Sequence, residues 1–347
     1  GTYTLPLGHV DGRGLGIYRL AFDPGEGHLT PIDVTEGLRN PSYLAFTPMA
    51  GRLYAVEECD VSESPRVAGY ALGPDGGLTR LNAQPLPGSA ACHVLVDTAE
   101  RWLFVAHYMS GNVAVYPLEV DGRIGPLASM VQHEGSGPNL ERQEGPHAHS
   151  CALDQRGDYL FDADLGLDRV MVYAFDSESG QLSEREPGVA APGAGPRHLV
   201  VHPSDRFVYV ANELDATVTC FAHEEGTLTP LHSISTRPPG AEGIIQPAAI
   251  RMTRKGNYLF VSNRIDDNSI ASFHVDSETG ELTLLGHTST QGVTPRDFIL
   301  DSLNDYLIVA NQDSGTLVVF EIDAVEGALK PTGESVEIPS PSGLALG

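Results

Sequence analysis

The sequence predicts an all-β fold, a seven-bladed β-propeller with four antiparallel strands in each blade, and three observations predict it. A short apolar run recurs along the chain at intervals near fifty residues. Each copy is followed by three more strand-like runs, and the two chain ends complete each other's unfinished copy. A period of that length marks units that stack or close radially.

The first strands align as "PSYLAFTP", "ACHVLVDT", "AHSCALDQ", "PRHLVVHP", "PAAIRMTR", "PRDFILDS" and "PSGLALG". Their second residues are Ser42, Cys92, His149, Arg197, Ala248, Arg296 and Ser342, spaced by 50, 57, 48, 51, 48 and 46 residues. Each is followed by an alternating second strand such as "FVYVANE" or "YLFVSNR", then a third such as "TVTCF" or "SIASFHV". Turn chemistry in "DSESGQL" and "DSETGEL" separates the third strand from a fourth that begins like "GTLTPL" or "GELTLL". No copy contains an amphipathic helical pattern, and 38 Gly and 25 Pro spread along the chain agree with many turns.

The seventh first strand stops at Gly347. At the other end "GTYTL", "GLGIYRLAF" and "HLTPIDV" read as strands two, three and four of a copy without its first. Passing from Ser342 through the termini to Ser42 covers 47 residues, one period. One blade is therefore expected to be closed by both termini, with residues 1–347 as a single domain. An open solenoid would instead need polar caps at its ends.

Charge narrows the function. The net charge of −25 and pI near 4.7 argue against nucleic acid and anionic membranes as partners, since both are bound through clustered Lys and Arg. The only lysines are Lys255 and Lys330, so an anionic ligand must be met by arginine forks. The cysteines Cys59, Cys92, Cys151 and Cys220 have no metal-ligand spacing and read as buried thiols; no metal or cofactor is expected. No apolar run approaches the roughly 20 residues that span a bilayer, and the start of the chain lacks the pattern of a signal peptide, so a cytoplasmic location is expected.

In a propeller the first strand starts, and the second ends, at the same mouth of the central channel. The first column is Ser42 to Ser342 as given above, with neighbours that include Tyr43, His93, His198 and Asp297. The second column is Tyr3, Glu58, Tyr108, Leu165, Glu213, Arg264 and Gln312. Polar groups replace apolar ones there, which marks a solvated cleft. Arg197, Arg264 and Arg296 suit an anion, while His93, His147, His149, His198, Glu58 and Glu213 suit proton transfer. His149, Arg197, Glu213 and Arg264 form the core of the candidate site. In "EGPHAHSCALD", period two would send His147 and His149 from the same face, with His149 in the column and His147 behind it in the lengthened loop. His202 reads as a turn hydrogen-bonder, Arg251 as a brace between blades, and Asp297 as the partner that orients an arginine or a backbone group.

The stretches "GSGPNLERQEGPHAHS", "PGAGPRHLV", "VANELDATV", "FVSNR" and "PRDFILD" resemble the propeller-type lactonase family, which includes bacterial 6-phosphogluconolactonases. The resemblance runs from "GTYTL" to "VANQDSGTLVVF". It implies hydrolysis of a small anionic sugar lactone in the pentose phosphate pathway. Related fungal carboxy-cis,cis-muconate cyclases carry a proposed His, Arg, Glu and Arg that match His149, Arg197, Glu213 and Arg264, which leaves a muconate-type lactonising enzyme as the alternative. On the lactonase assignment His149 is the base, with Glu213 as its orienter or as the base in its place. Arg197 meets the oxyanion or a carboxyl group, and Arg264 with Arg296 meets the phosphate. His93, His147 and His198 complete the substrate contacts. A non-catalytic binding platform would want an aromatic hot spot on the upper rim, and the one tryptophan, Trp102, lies inside a second strand.

Overall fold

The computed structural model describes residues 1–47 and 49–347; Pro48, the last letter of "PSYLAFTP", lies outside the described residues. The chain forms an all-β propeller. Six four-stranded antiparallel sheets span residues 44–85, 91–132, 148–189, 196–235, 245–289 and 295–337, and a two-stranded hairpin pairs Gly16–Asp23 with His28–Glu36. Each four-stranded sheet is a meander in sequence order. In one of them Ala148–Leu153, Tyr159–Asp164, Arg169–Asp176 and Gln181–Val189 lie side by side. Among the described residues the only helix is the 3₁₀ turn Val61–Glu63, and none is long and apolar enough to cross a membrane.

Alternation along the strands creates the core, because every sheet has apolar residues on both faces and each face packs against a neighbour. Tyr54, Val56 and Val67 of one sheet meet Val94, Leu103 and Val105 of the next. The hairpin is packed on both sides: Leu29 lies against Ile308, Ala310 and Val319, while Ile17 lies against Leu44, Leu53 and Ala68. Burying each such large side chain is worth about 1.5–3 kcal/mol. The chain ends lie together beside this hairpin. Tyr3 N donates to Ser340 O at 3.0 Å, Ser342 N to Gly1 O at 3.0 Å, and the Gly1 ammonium to Gly343 O at 2.7 Å.

A second set of contacts locks four of the six four-stranded sheets to the outer turn of the next. An aromatic side chain near the start of a second strand reaches across and donates to a turn carbonyl: Tyr54 to Gly122 O, Trp102 to Ser177 O, Tyr209 to Gly280 O and Tyr258 to Val325 O. Trp102 is thus a buried blade-to-blade tie and forms no hot spot on a rim.

The first strands line the axis, and five of them share an irregularity: one slips between Pro247 and Ile250, and the slips of the other four matter for function. Pairing slips by one residue between Ala91 and His93, Ala148 and Ser150, Pro196 and His198, and Pro295 and Asp297. Cys92, His149, Arg197 and Arg296 are therefore the extra residues of β-bulges, which re-aim a side chain away from the regular ladder. The regular alternation expected between His147 and His149 is interrupted here. His147 precedes the strand, whose first residue is Ala148, and the bulge at His149 breaks the alternation.

The aromatic ties predict a graded effect of glycine substitution. Gly280 has φ +75° and an added Cβ would lie 2.6 Å from the Phe207 ring, whereas Gly240 has φ +76° with nothing within 4 Å. Gly240→Ala is expected to cost about 1 kcal/mol from backbone strain alone, and Gly280→Ala about 2 kcal/mol more from overpacking. Urea unfolding of both variants checks this, and equal losses would show that the turn contact is slack.

Candidate active site

The bulged residues place their side chains at the axis, where the ends of the second strands also arrive. The structure brings Arg197, Glu213 and Arg264 into direct contact. Arg197 Nε donates to Glu213 Oε2 at 2.9 Å and Arg264 Nη2 to the same oxygen at 2.6 Å. A third guanidinium, absent from the sequence-derived set, completes the cluster: Arg142 Nη2 donates to Glu213 Oε1 at 2.6 Å and to the Tyr108 hydroxyl at 3.3 Å. Arg197 is further fixed by Nη1, which donates to Ala248 O at 2.7 Å.

Electrostatics follow from this packing. Burial opposes a charge on Glu213, but Arg264, Arg197 and Arg142 outweigh it and hold its carboxyl well below the usual range. Burial pushes the Arg264 guanidinium down to about 9 against the pull of Glu213, and lowers Arg197 as well. Glu213 makes no hydrogen bond to His149 among the described residues. Its carboxylate is occupied by arginines, which corrects the expectation that it orients the imidazole.

His149 is buried, with Nδ1 3.7 Å from the Cys92 thiol and its ring edge-on to His198 and Tyr108 at centroid distances of 5.4 Å. Burial, reinforced by Arg197, holds it well below 6.5, so the ring is neutral. His149, Arg197 and Arg296 line an axial cavity of about 10 Å³ together with Ser42, Cys92 and His198. That is the space of one water molecule. The Arg296 guanidinium lies 5.1 Å above the Tyr3 ring and has no hydrogen-bond partner among the described residues.

The remaining candidates take other positions. His93 stacks on Tyr43 at 4.4 Å and accepts from Cys151 N, and burial drives it down to about 3. His198 lies between the His93 and His149 rings and is likewise held well below 6.5 by burial. His147 stacks flat on Tyr108 at 4.4 Å with Nδ1 2.9 Å from the Tyr108 carbonyl, so it supports the pocket wall. Glu58 accepts from the Tyr3 hydroxyl at 2.9 Å. Arg251 pairs with Asp297 at 2.8 Å and with the Tyr43 hydroxyl, while Asp297 also accepts from Leu344 N. His202 bonds within its turn to Ser204 and meets the Gly256 carbonyl.

Arg142 and His9, whose ring stands edge-on to Tyr3 at 5.6 Å, were missed because both lie on loops. The lengthened 57-residue spacing was the available signal for Arg142. No group of three His, Cys, Asp or Glu side chains among the described residues is placed to hold a metal ion.

A propeller whose axial pocket combines a neutral histidine, a water-sized cavity and clustered arginines has the parts of an enzyme for anionic, hydrolysable substrates. The comparisons give the family. The chain belongs to the lactonase family of seven-bladed β-propellers, which matches residues 1–345. It is 35% identical over 344 residues to the 6-phosphogluconolactonase of Bacillus subtilis, covering 98% of this chain and 95% of the relative. It is 30% identical to the 6-phosphogluconolactonase of Pectobacterium atrosepticum, covering 88% of each. The solved structure of a periplasmic gluconolactonase from Pseudomonas aeruginosa superposes with a TM-score of 0.90 at 33% identity, covering 99% of this chain and 96% of that one.

The buried histidines predict an acid-side loss of stability. His93, His149 and His198 have folded-state values below 6.5, so below that pH the unfolded chain takes up protons that the native state refuses. Stability is then full above about pH 6.5 and declines as pH falls toward the folded values, by at most about 1.4 kcal/mol per pH unit for each ring. Glu213, also depressed, adds to the loss below its ordinary value of 4.5. Melting temperatures from pH 8 to 5 should fall below pH 6.5, with a shallower slope in His198→Gln. A flat profile would contradict neutral burial of these rings.

Proposed function

We propose that this protein hydrolyses 6-phospho-D-glucono-1,5-lactone to 6-phosphogluconate, the lactone-opening step of the pentose phosphate pathway. The names of its relatives support the substrate, and the water-sized cavity lined by His149, Arg197 and Arg296 carries the reading of the chemistry. In this reading His149 takes a proton from the water as its oxygen attacks the C1 carbonyl. Arg197 and Arg296 stabilise the oxyanion, and the imidazolium returns the proton to the ring oxygen as the C1–O bond breaks. Between the two candidate bases, the neutral His149 is favoured, because a carboxylate held down by three arginines is a poor proton acceptor.

A second reading, hydrolysis of the unphosphorylated glucono-1,5-lactone, is favoured by one observation, the name of the Pseudomonas neighbour. The same ester is opened, and only the charged end differs.

Residues 1–347 are read as one domain, with the hairpin Gly16–Asp23 and His28–Glu36 completed by both termini as a seventh blade. Packing of the hairpin on both neighbours and the hydrogen bonds between residues 1–3 and 340–343 support this. Four buried, unbridged cysteines favour a reducing compartment, and the cytoplasm is part of the proposal.

His149→Ala is expected to lower kcat for the phosphorylated lactone by about 10²-fold or more, the usual worth of a general base. His147→Ala should act less strongly, through the packing of Tyr108. Initial rates above spontaneous opening, with melting curves as a fold check, decide the matter. A dead His147→Ala beside an active His149→Ala would reverse the roles, and full rates in both would make Glu213 the base.

A further inference from the structure

Resting on the lactonase reading, we propose that Arg142 meets the charged end of the substrate and sets the preference for a phosphorylated lactone, a role the family resemblance implied for Arg264 with Arg296. Three arginines contact Glu213, and they differ in reach. The side chains of Arg197 and Arg264 are 2% and 9% exposed, whereas that of Arg142 is 35% exposed. Arg264 is committed to Glu213 inside the wall, where its Nε is buried without a partner. Arg142 uses only Nη2 for Glu213 and Tyr108, which leaves Nε and Nη1 of this partly exposed side chain without partners among the described residues. A guanidinium anchored at one nitrogen and open at the other two is prepared for a multidentate anion, with less rotamer freedom left to lose.

The segment that carries Arg142 is fastened as a built part of the site. It leaves one sheet after Gln132 and enters the next at Ala148, and one buried carboxylate holds both ends. Asp164 Oδ2 lies 2.6 Å from His133 Nδ1, and Asp164 Oδ1 accepts from His147 N at 2.8 Å. Between them, Gln143 is fully buried and donates to Leu165 O and Asp168 Oδ1, while Asn139 Oδ1 accepts from the backbone N of Glu141 and Arg142. These contacts bring a loop arginine to a fixed point beside Glu213. Four guanidiniums, those of Arg142, Arg197, Arg264 and Arg296, then face the carboxylates of Glu213 and Glu58, so the site stays cationic in a chain of net charge −25. Such a local field concentrates an anionic ligand.

The test compares wild type, Arg142→Ala and Arg142→Lys on 6-phosphogluconolactone and glucono-1,5-lactone, with inorganic phosphate as an inhibitor and as a ligand in thermal shift. In Arg142→Ala, KM for the phosphorylated lactone should rise roughly 10- to 100-fold more than KM for the unphosphorylated one, the worth of a charge-assisted contact. Lysine should restore part of the difference, and phosphate inhibition and phosphate-induced stabilisation should weaken in parallel. If kcat falls equally on both lactones and the ratio of the two KM values is unchanged, Arg142 only holds Glu213 and the proposal is overturned. Wild type that hydrolyses neither lactone removes the lactonase reading. The phosphate shift then decides alone: its loss in Arg142→Ala supports the anion contact, and its absence in wild type or persistence in the variant overturns it.

Discussion

The inner strands converge on one axis, and five of them give up regular pairing near their start, four of these one residue after they begin. A strand paired without interruption sends alternate side chains into the cores between sheets, where Val and Leu belong. The bulges at Cys92, His149, Arg197 and Arg296 release four side chains from that alternation. The same local slip thus keeps the apolar faces in register below it and turns buried side chains toward the axis above it. Stability and chemistry are divided along the length of a single strand.

Once released, the arginines need a counter-charge, since several buried guanidiniums in one region repel each other and lose hydration. Glu213 provides it. One carboxylate at the end of a second strand binds Arg197 from its own sheet, Arg264 from the next and Arg142 from a loop. It joins separate parts of the ring where three guanidiniums meet. This also explains why Glu213 is badly placed to accept a proton: the contacts that make it structurally valuable make its conjugate acid unfavourable.

Much of this was legible in the sequence because it is periodic. The fifty-residue repeat exposed the sheets, and stacking the repeats brought His149, Arg197, Glu213 and Arg264 into two columns before any contact was known. What was not legible is local or aperiodic. A one-residue bulge leaves the same letters as an uninterrupted strand, so period two alone could not report the interruption at His149. Arg142 and His9 lie on loops, which have no repeat to align them. The aromatic ties to the outer turns appeared only as turn residues such as those of "DSETGEL", because the partner sits in another repeat. Periodicity reports what each unit shares, whereas specificity lies in what one unit adds.

The state of His149 links the two scales. Burial and the neighbouring Arg197 and Arg296 all disfavour its imidazolium, while Glu213 favours it only in part. The ring is consequently neutral at physiological pH and able to accept a proton, but it is a weak base while the arginine charge is unopposed. An anion bound among those arginines would oppose the charges that depress the ring, raising its proton affinity toward the range in which a general base works well. The cationic cluster would then do more than capture substrate, because occupancy itself would complete the basicity of the group beside the cavity. On the proposed roles, proton transfer and recognition would share one electrostatic device, set by whether the substrate is present.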